Sequence, residues 1–179
     1  MARILMVCGG STKGQTGKIA GRIAQRLRDR NHAVEVVDGA HLPDNFSVEG
    51  FDAAIIGAPV RMLKYPRPII EFAKSNRAFL ERVPSAFFSV CMAAASPLPD
   101  KRRQAQTWNE SFFNETGWRP RLAPTFAGAL HYRKYNFLLR FMMKRIARAE
   151  GVSTDTSRDH EYTDWEAVSR FSDELARLL

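Results

Sequence analysis

The residues whose types and spacing could do chemistry lie close to the N-terminus. Gly9-Gly10-Ser11-Thr12-Lys13-Gly14-Gln15-Thr16 follows the apolar run Ile4-Leu5-Met6-Val7-Cys8 and leads straight into a helical pattern. A strand that ends in a Gly/Ser/Thr turn and feeds a helix makes an anion cradle. Backbone N–H groups of the turn and of the first helical turn converge on one spot, and the helix dipole adds partial positive charge there. A phosphate fits that spot. The segment is not a Walker A loop, which ends in Gly-Lys-Ser/Thr, and it is not Gly-x-Gly-x-x-Gly. Here Ser11, Thr12 and Thr16 supply hydroxyls for the lining, with Lys13, Gly14 and Gln15 between them. An ordinary polar strand-to-helix connection is the plain alternative.

The elements that must position this loop are legible as alternating runs. Strands are expected over Arg3–Cys8, Ala33–Val37, Ala53–Gly57, Ser85–Cys91 and Pro124–Ala129, and helices over Gly17–Arg30, Arg67–Asn76, Lys101–Glu115 and Asp164–Leu178. The first helix places Ile19, Ile23, Ala24 and Leu27 on one stripe. The last opens on a capping box, Thr163 with Glu166, which gives both a structural role. Five such units predict an α/β fold: a doubly wound, five-stranded parallel sheet of order 2-1-3-4-5 with helices on both faces. The Ser-Thr-x-Gly-x-Thr wording resembles the phosphate loop of flavodoxins, which holds the terminal phosphate of FMN. In such a sheet the ligand lies at the carboxyl ends of the strands, where the strand order reverses.

Two further loops fall at that edge. Pro59-Val60-Arg61-Met62-Leu63-Lys64-Tyr65 follows the third strand, and Met92-Ala93-Ala94-Ala95 follows the fourth. A flat tricyclic ring needs walls, and Tyr65, Met62 and Leu63 are candidates on one side, while the alanines permit close backbone approach on the other. Tyr65 beside Pro66 also reads as a half-exposed surface residue. Arg61 and Lys64 could set positive charge near the ring edge that becomes negative on reduction. Solvated cations are the duller account of them.

The interval 130–162 is roughly thirty residues where the fold needs only a short connection, and loops of that length are usually functional or disordered. Its centre, Tyr135–Ala149, reads as a helix. At ~100° per residue, Leu138, Leu139, Met142, Met143, Ile146 and Ala149 form an apolar stripe. Arg140, Lys144, Arg145 and Arg148 form the other face, with Arg133 and Lys134 just before it. Phe137 and Phe141 fall among the cations. Such interleaving describes a segment in a membrane interface, or one that grips an apolar anion; a core-packed helix with a solvated charged face is the alternative. No recognisable nucleic-acid module accompanies it.

Composition bounds the rest. The 179 residues are expected to form one domain, with the insertion at about 130–162, and 45% hydrophobic and 26% charged content are globular values. No signal peptide is expected, and no stretch approaches the ~20 apolar residues of a bilayer span. Cys8 and Cys91 read as buried free thiols, compatible with a reducing compartment. The chain has 27 Lys/Arg against 19 Asp/Glu, a net charge of +8, which favours an anionic partner.

The chain resembles the menaquinone-dependent protoporphyrinogen oxidases, flavodoxin-like enzymes of the haem pathway with an insertion late in the fold. The residues that carry the resemblance are Pro84–Val90, Gly117-Trp118-Arg119-Pro120, Ala127–Leu130, Arg140–Lys144, Thr154-Asp155-Thr156 and Tyr162–Glu166. The resemblance implies FMN as cofactor, bound by Ser11, Thr12, Lys13, Gly14, Gln15 and Thr16, by Pro59, Val60, Arg61 and Tyr65, and by Met92, Ala93 and Ala94. It implies oxidation of protoporphyrinogen IX to protoporphyrin IX, with electrons passed to a membrane quinone. Flavin N5 would carry the chemistry, and no catalytic side chain or metal site is assigned. Arg133, Phe137, Arg140, Phe141 and Lys144 would meet substrate or an anionic membrane surface. That places the protein in the cytoplasm, peripheral on the inner face of the cell membrane, with a homo-oligomer left open. The enzyme alternative is a flavodoxin-like quinone reductase, and the non-catalytic one is an electron-transfer flavodoxin, although small flavodoxins of that kind are acidic. Two departures stand out: Lys13 replaces a common Thr, and Met62 stands where an aromatic wall is common.

Overall fold

The computed structural model describes residues 1–10 and 13–179. Strands β1 (Arg3–Cys8), β2 (Ala33–Asp38), β3 (Ala53–Pro59), β4 (Ser85–Cys91) and β5 (Thr125–Ala127) form one parallel sheet in the order β2-β1-β3-β4-β5. β3 and β4 are buried along their whole length, which is why they read as continuous apolar runs. Successive side chains of a strand point to opposite faces, so one sequence feeds two cores. Ile4, Met6, Ile55 and Phe88 pack under helices α1 (Gln15–Arg28) and α6 (Trp165–Ala176). Leu5, Val7, Ile56 and Phe87 pack under α2 (Arg67–Ser75), α3 (Arg77–Arg82) and α4 (Pro99–Thr116). Gly57 is obligatory at the centre, because a Cβ there would collide with the Phe88 ring.

Motifs that carried the family resemblance have structural duties. Gly117 takes φ 71° to end α4. Trp118 is fully buried, and its indole N–H donates to Ser85 Oγ at 3.2 Å.

β5 is shorter than its apolar run predicts. The chain leaves the sheet at Gly128, and β6 (Ala129–Leu130) pairs antiparallel with β7 (His160–Glu161) to form a stem for the insertion. Tyr162 N–H donates to Gly128 O, and Asp159 accepts from the Arg133 N–H. Above the stem, α5 (Phe137–Ala149) is capped by Asn136, whose side chain accepts from Leu139 N–H at 2.9 Å. A small cluster of Leu130, Tyr132 and Ala147, joined by Met92 and Met143, holds α5 to the body. Among the described residues no helix is long and apolar enough to cross a membrane.

The α6 cap differs from the expected box. Asp164, not Thr163, accepts from the Glu166 and Ala167 N–H groups. Thr163 is engaged elsewhere, because its hydroxyl donates to Ala127 O.

Candidate cofactor site

At the start of α1 no side chain among the described residues caps the helix N-terminus. Its N-cap, Gly14, is extended and has no side-chain cap bond, and the first turn holds no acidic residue. Gln15 and Thr16 are buried there, and Gln15 Oε1 has no hydrogen-bond partner among the described residues. Ser11 and Thr12 lie outside the described residues. Gly10, at φ 125°, brings the backbone beneath the Arg61 guanidinium; a Cβ on Gly10 would stand 3.3 Å from an Arg61 nitrogen. A cationic group therefore leans over the phosphate loop, while no carboxylate of the helix competes with a ligand for its N–H groups. Phosphate chemistry fits this cradle.

The loop after β3 closes as a two-residue hairpin. Arg61 and Lys64 exchange both backbone hydrogen bonds, at 2.9 and 3.0 Å, and Met62 and Leu63 both take positive φ, 48° and 65°. This is the I′ kind of turn, in residues that do not favour it, so the surroundings hold the strain. Its effect is to push Met62 and Leu63 outward, 87% and 66% exposed.

Tyr65 goes the other way, which corrects its expected role as a ring wall. It is 9% exposed, its ring packs edge-on against Phe87 and Phe112, and its hydroxyl donates to Asn109 Oδ1 at 2.5 Å. Burial pushes its phenol above the ordinary value. A hairpin that ends at Lys64 turns the next side chain into the core ahead of Pro66, so the exposed apolar groups of this loop are Met62 and Leu63. Pro59 is buried at the end of β3, and Val60 N–H donates to Val90 O, fixing this loop to the neighbouring strand. Met92, Ala93 and Ala94 form a single 3-10 turn directly after β4, with Ala93 buried. Because the sheet is parallel, all three loops emerge at one edge. A cleft of about 600 Å³ lies apart from the phosphate loop, between α2 and α4, lined by Ile70, Trp108 and Phe112.

Cys8 and Cys91 are free and buried, and burial first of all raises their thiols to about 12 and about 11.

In the insertion the expected faces of α5 are rotated. Phe137, Leu138, Phe141, Met142 and Ile146 are all exposed, together with Lys144, Arg145 and Arg148. Only part of the expected stripe, Leu139 and Met143, turns toward the body beside buried Ala147. Arg140 is corrected too: it is half-buried, and its guanidinium donates to Tyr132 O at 3.0 Å, so it tethers α5 rather than facing outward. Arg133 stays exposed. Sequence reasoning missed this because a 3.6-residue period gives the width of a stripe but not which arc meets the protein.

A flavodoxin-domain family model matches residues 6–157. Oxidised Flavodoxin 1 from Bacillus cereus superposes with a TM-score of 0.60, covering 99% of each chain at 17% identity, which shows the shared fold. The chain belongs to the flavodoxin-domain family. Its curated relatives within that family are more specific. Protoporphyrinogen IX dehydrogenase (quinone) of Escherichia coli strain K12 is 36% identical over 166 residues, 92% of this chain and 90% of its own. The Leishmania major protein of the same name is 33% identical over 172 residues, 94% of this chain and 72% of its own.

Proposed function

We propose that this chain binds one FMN non-covalently and oxidises protoporphyrinogen IX to protoporphyrin IX, passing the electrons to a membrane quinone. The observation that carries this reading is the 36% identity, over 92% of the chain, to a protein named for that reaction. The start of α1, which among the described residues carries no side-chain cap and no acidic group, supports it independently. When bound, the flavin supplies a two-electron acceptor that is used repeatedly until six electrons have left the tetrapyrrole.

The chain supplies binding and field. Backbone N–H groups at Gly14, Gln15 and Thr16, together with Ser11, Thr12 and Lys13, hold the phosphate, and Arg61 adds positive charge beside it. Pro59, Val60, Met92, Ala93 and Ala94 border the ring, with Met62 and Leu63 in place of an aromatic wall.

The insertion docks the enzyme on an anionic bilayer at the cytoplasmic face of the cell membrane, as a peripheral protein of one domain. Exposed Phe137, Leu138, Phe141, Met142 and Ile146, interleaved with Lys144, Arg145 and Arg148, support this, because apolar groups enter the interface while cations meet lipid phosphates. Arg133, an exposed cation three residues after β6, is assigned to a substrate propionate.

The test is anaerobic. Purified protein loaded with FMN is mixed with protoporphyrinogen IX, and the flavin absorbance is expected to bleach and then return when a quinone is added. A flavin that dithionite bleaches but the porphyrinogen does not would make the protein a quinone reductase with another donor.

A further inference from the structure

Thr163 is the second residue after β7, and it ends against the start of α1 rather than capping the helix that follows. Gln15, the first residue of α1, is 8% exposed, and its side-chain N–H donates to Thr163 Oγ1 at 2.8 Å. Thr163 donates its own hydroxyl proton to Ala127 O, also at 2.8 Å. A hydroxyl has one proton to give. With that proton committed to the β5 carbonyl, Oγ1 can only accept from Gln15, so the amide must present its nitrogen to Thr163 and its oxygen, Oε1, away from it. One turn further along α1, Lys18 pairs with Glu161 at 3.6 Å. The closing strand, through Glu161, and the segment after it, through Thr163, are thus both fastened to the start of α1.

We propose that Thr163 is a positioning residue for the cofactor: by fixing Gln15 it fixes the first turn of α1, where the phosphate is held. The inference rests on the FMN reading above and goes beyond it, since it makes the segment that follows the closing strand of the insertion part of the phosphate site. The register of the stem delivers Thr163 to this point. His160 pairs with Leu130, Tyr162 N–H reaches Gly128 O, and the next hydroxyl reaches Ala127 O, so consecutive residues walk down the exit of β5. Without the bond to Thr163, the buried Gln15 amide would lose a partner and the turn carrying the phosphate-binding N–H groups would lose its lateral brace.

The experiment titrates FMN into the apoprotein of the full chain, with flavin fluorescence as the readout and the apoprotein melting temperature as a control for the fold. Thr163→Val keeps the branched shape and loses both bonds; it is expected to weaken FMN binding about five- to tenfold. Thr163→Ser keeps the hydroxyl and is expected to restore parental affinity. Gln15→Met leaves the Thr163–Ala127 bond intact and is expected to weaken binding to a similar degree, and the Gln15→Met/Thr163→Val pair to bind no worse than the weaker single variant. If Thr163→Val fails to fold, Gln15→Met alone decides, with parental affinity overturning the proposal. Losses that add in the double variant, or a lower melting temperature with unchanged FMN affinity, overturn it as well, because Thr163 would then be structural only. A parent chain that binds no FMN overturns both this inference and the FMN reading, whereas failure of the variants alone leaves the FMN reading standing.

Discussion

Helix α1 buries Ile19, Ile23 and Leu27 completely against the sheet, whereas α5, of nearly the same length, leaves Phe137, Leu138, Phe141, Met142 and Ile146 in solvent. α5 is the richer of the two in apolar residues, nine of 13 against five of 14, yet it buries fewer of them. Burial of one such side chain stabilises by about 1.5–3 kcal/mol, so α1 spends its apolar face on folding. α5 keeps most of its apolar surface out of the folding balance and available to a partner. Its attachment is correspondingly small and partly polar: the Leu130/Tyr132/Ala147 cluster, the Arg140 tether and the Asn136 cap. Unsatisfied buried atoms gather there too, at Tyr132, Arg140, Glu150 and Tyr162. The difference teaches that α1 is fixed by burial of its apolar face, whereas α5 is held by a much smaller contact.

The sharpest way to test the first half of that comparison is to crowd the body. Gly57→Leu places a side chain where the Phe88 ring lies, and Phe88 is itself packed against Phe126 and Phe171. With no room to shift, the expected loss is more than ~3 kcal/mol, read by equilibrium denaturation. A loss below ~1 kcal/mol would mean the sheet centre is far more pliable than its burial implies.

The second half is tested by removing apolar groups from the insertion. Phe137→Ser combined with Phe141→Ser is expected to leave the denaturation midpoint and FMN content unchanged. Affinity for vesicles containing anionic lipid should fall at least about tenfold, and the parent's binding should weaken with salt. If the variant pellets with vesicles as the parent does, α5 is not the anchor. If it unfolds instead, the two rings belong to the body and the comparison breaks.

What the sequence made legible follows the same division. The sheet order could be read because local signals and tertiary packing agree: strand runs buried on both faces alternate with amphipathic helices. Tyr65 could not, because its inward turn depends on a hairpin whose two central residues, Met62 and Leu63, lack the glycine or asparagine that signals positive φ. Asp164 and Thr163 are both competent caps at adjacent positions. The choice between them is made at long range, by the Ala127 carbonyl and the Gln15 amide. Likewise Arg140 turns inward because the Tyr132 carbonyl, exposed by a 3-10 turn no pattern announced, needs a donor.

The smallest expected effect concerns acid. Asp159 is held below its ordinary value of 3.8, first by the Arg133 backbone N–H and then by His131, and it ties the two ends of the stem together. A carboxyl whose folded value is depressed adds stability that is complete above its unfolded value and is lost as pH falls through the folded one. Asp173 is similarly lowered, first by Arg26 and then by Arg30, and joins α6 to α1. There, however, Ile19, Ile23 and Leu27 lie in one core with Val168, Phe171 and Leu175, and that packing does not titrate. The stem has two short strands and little apolar backing. As pH is lowered from about 5 toward 3, amide protection at Leu130 and His160, corrected for the intrinsic exchange rate, should therefore fall before protection at Met6 and Ile56. Asp159→Asn should give the weakened stem already at neutral pH. Protection lost together across stem and sheet would mean that the insertion is as firmly built as the body, and the contrast between α1 and α5 would then be one of surface composition alone.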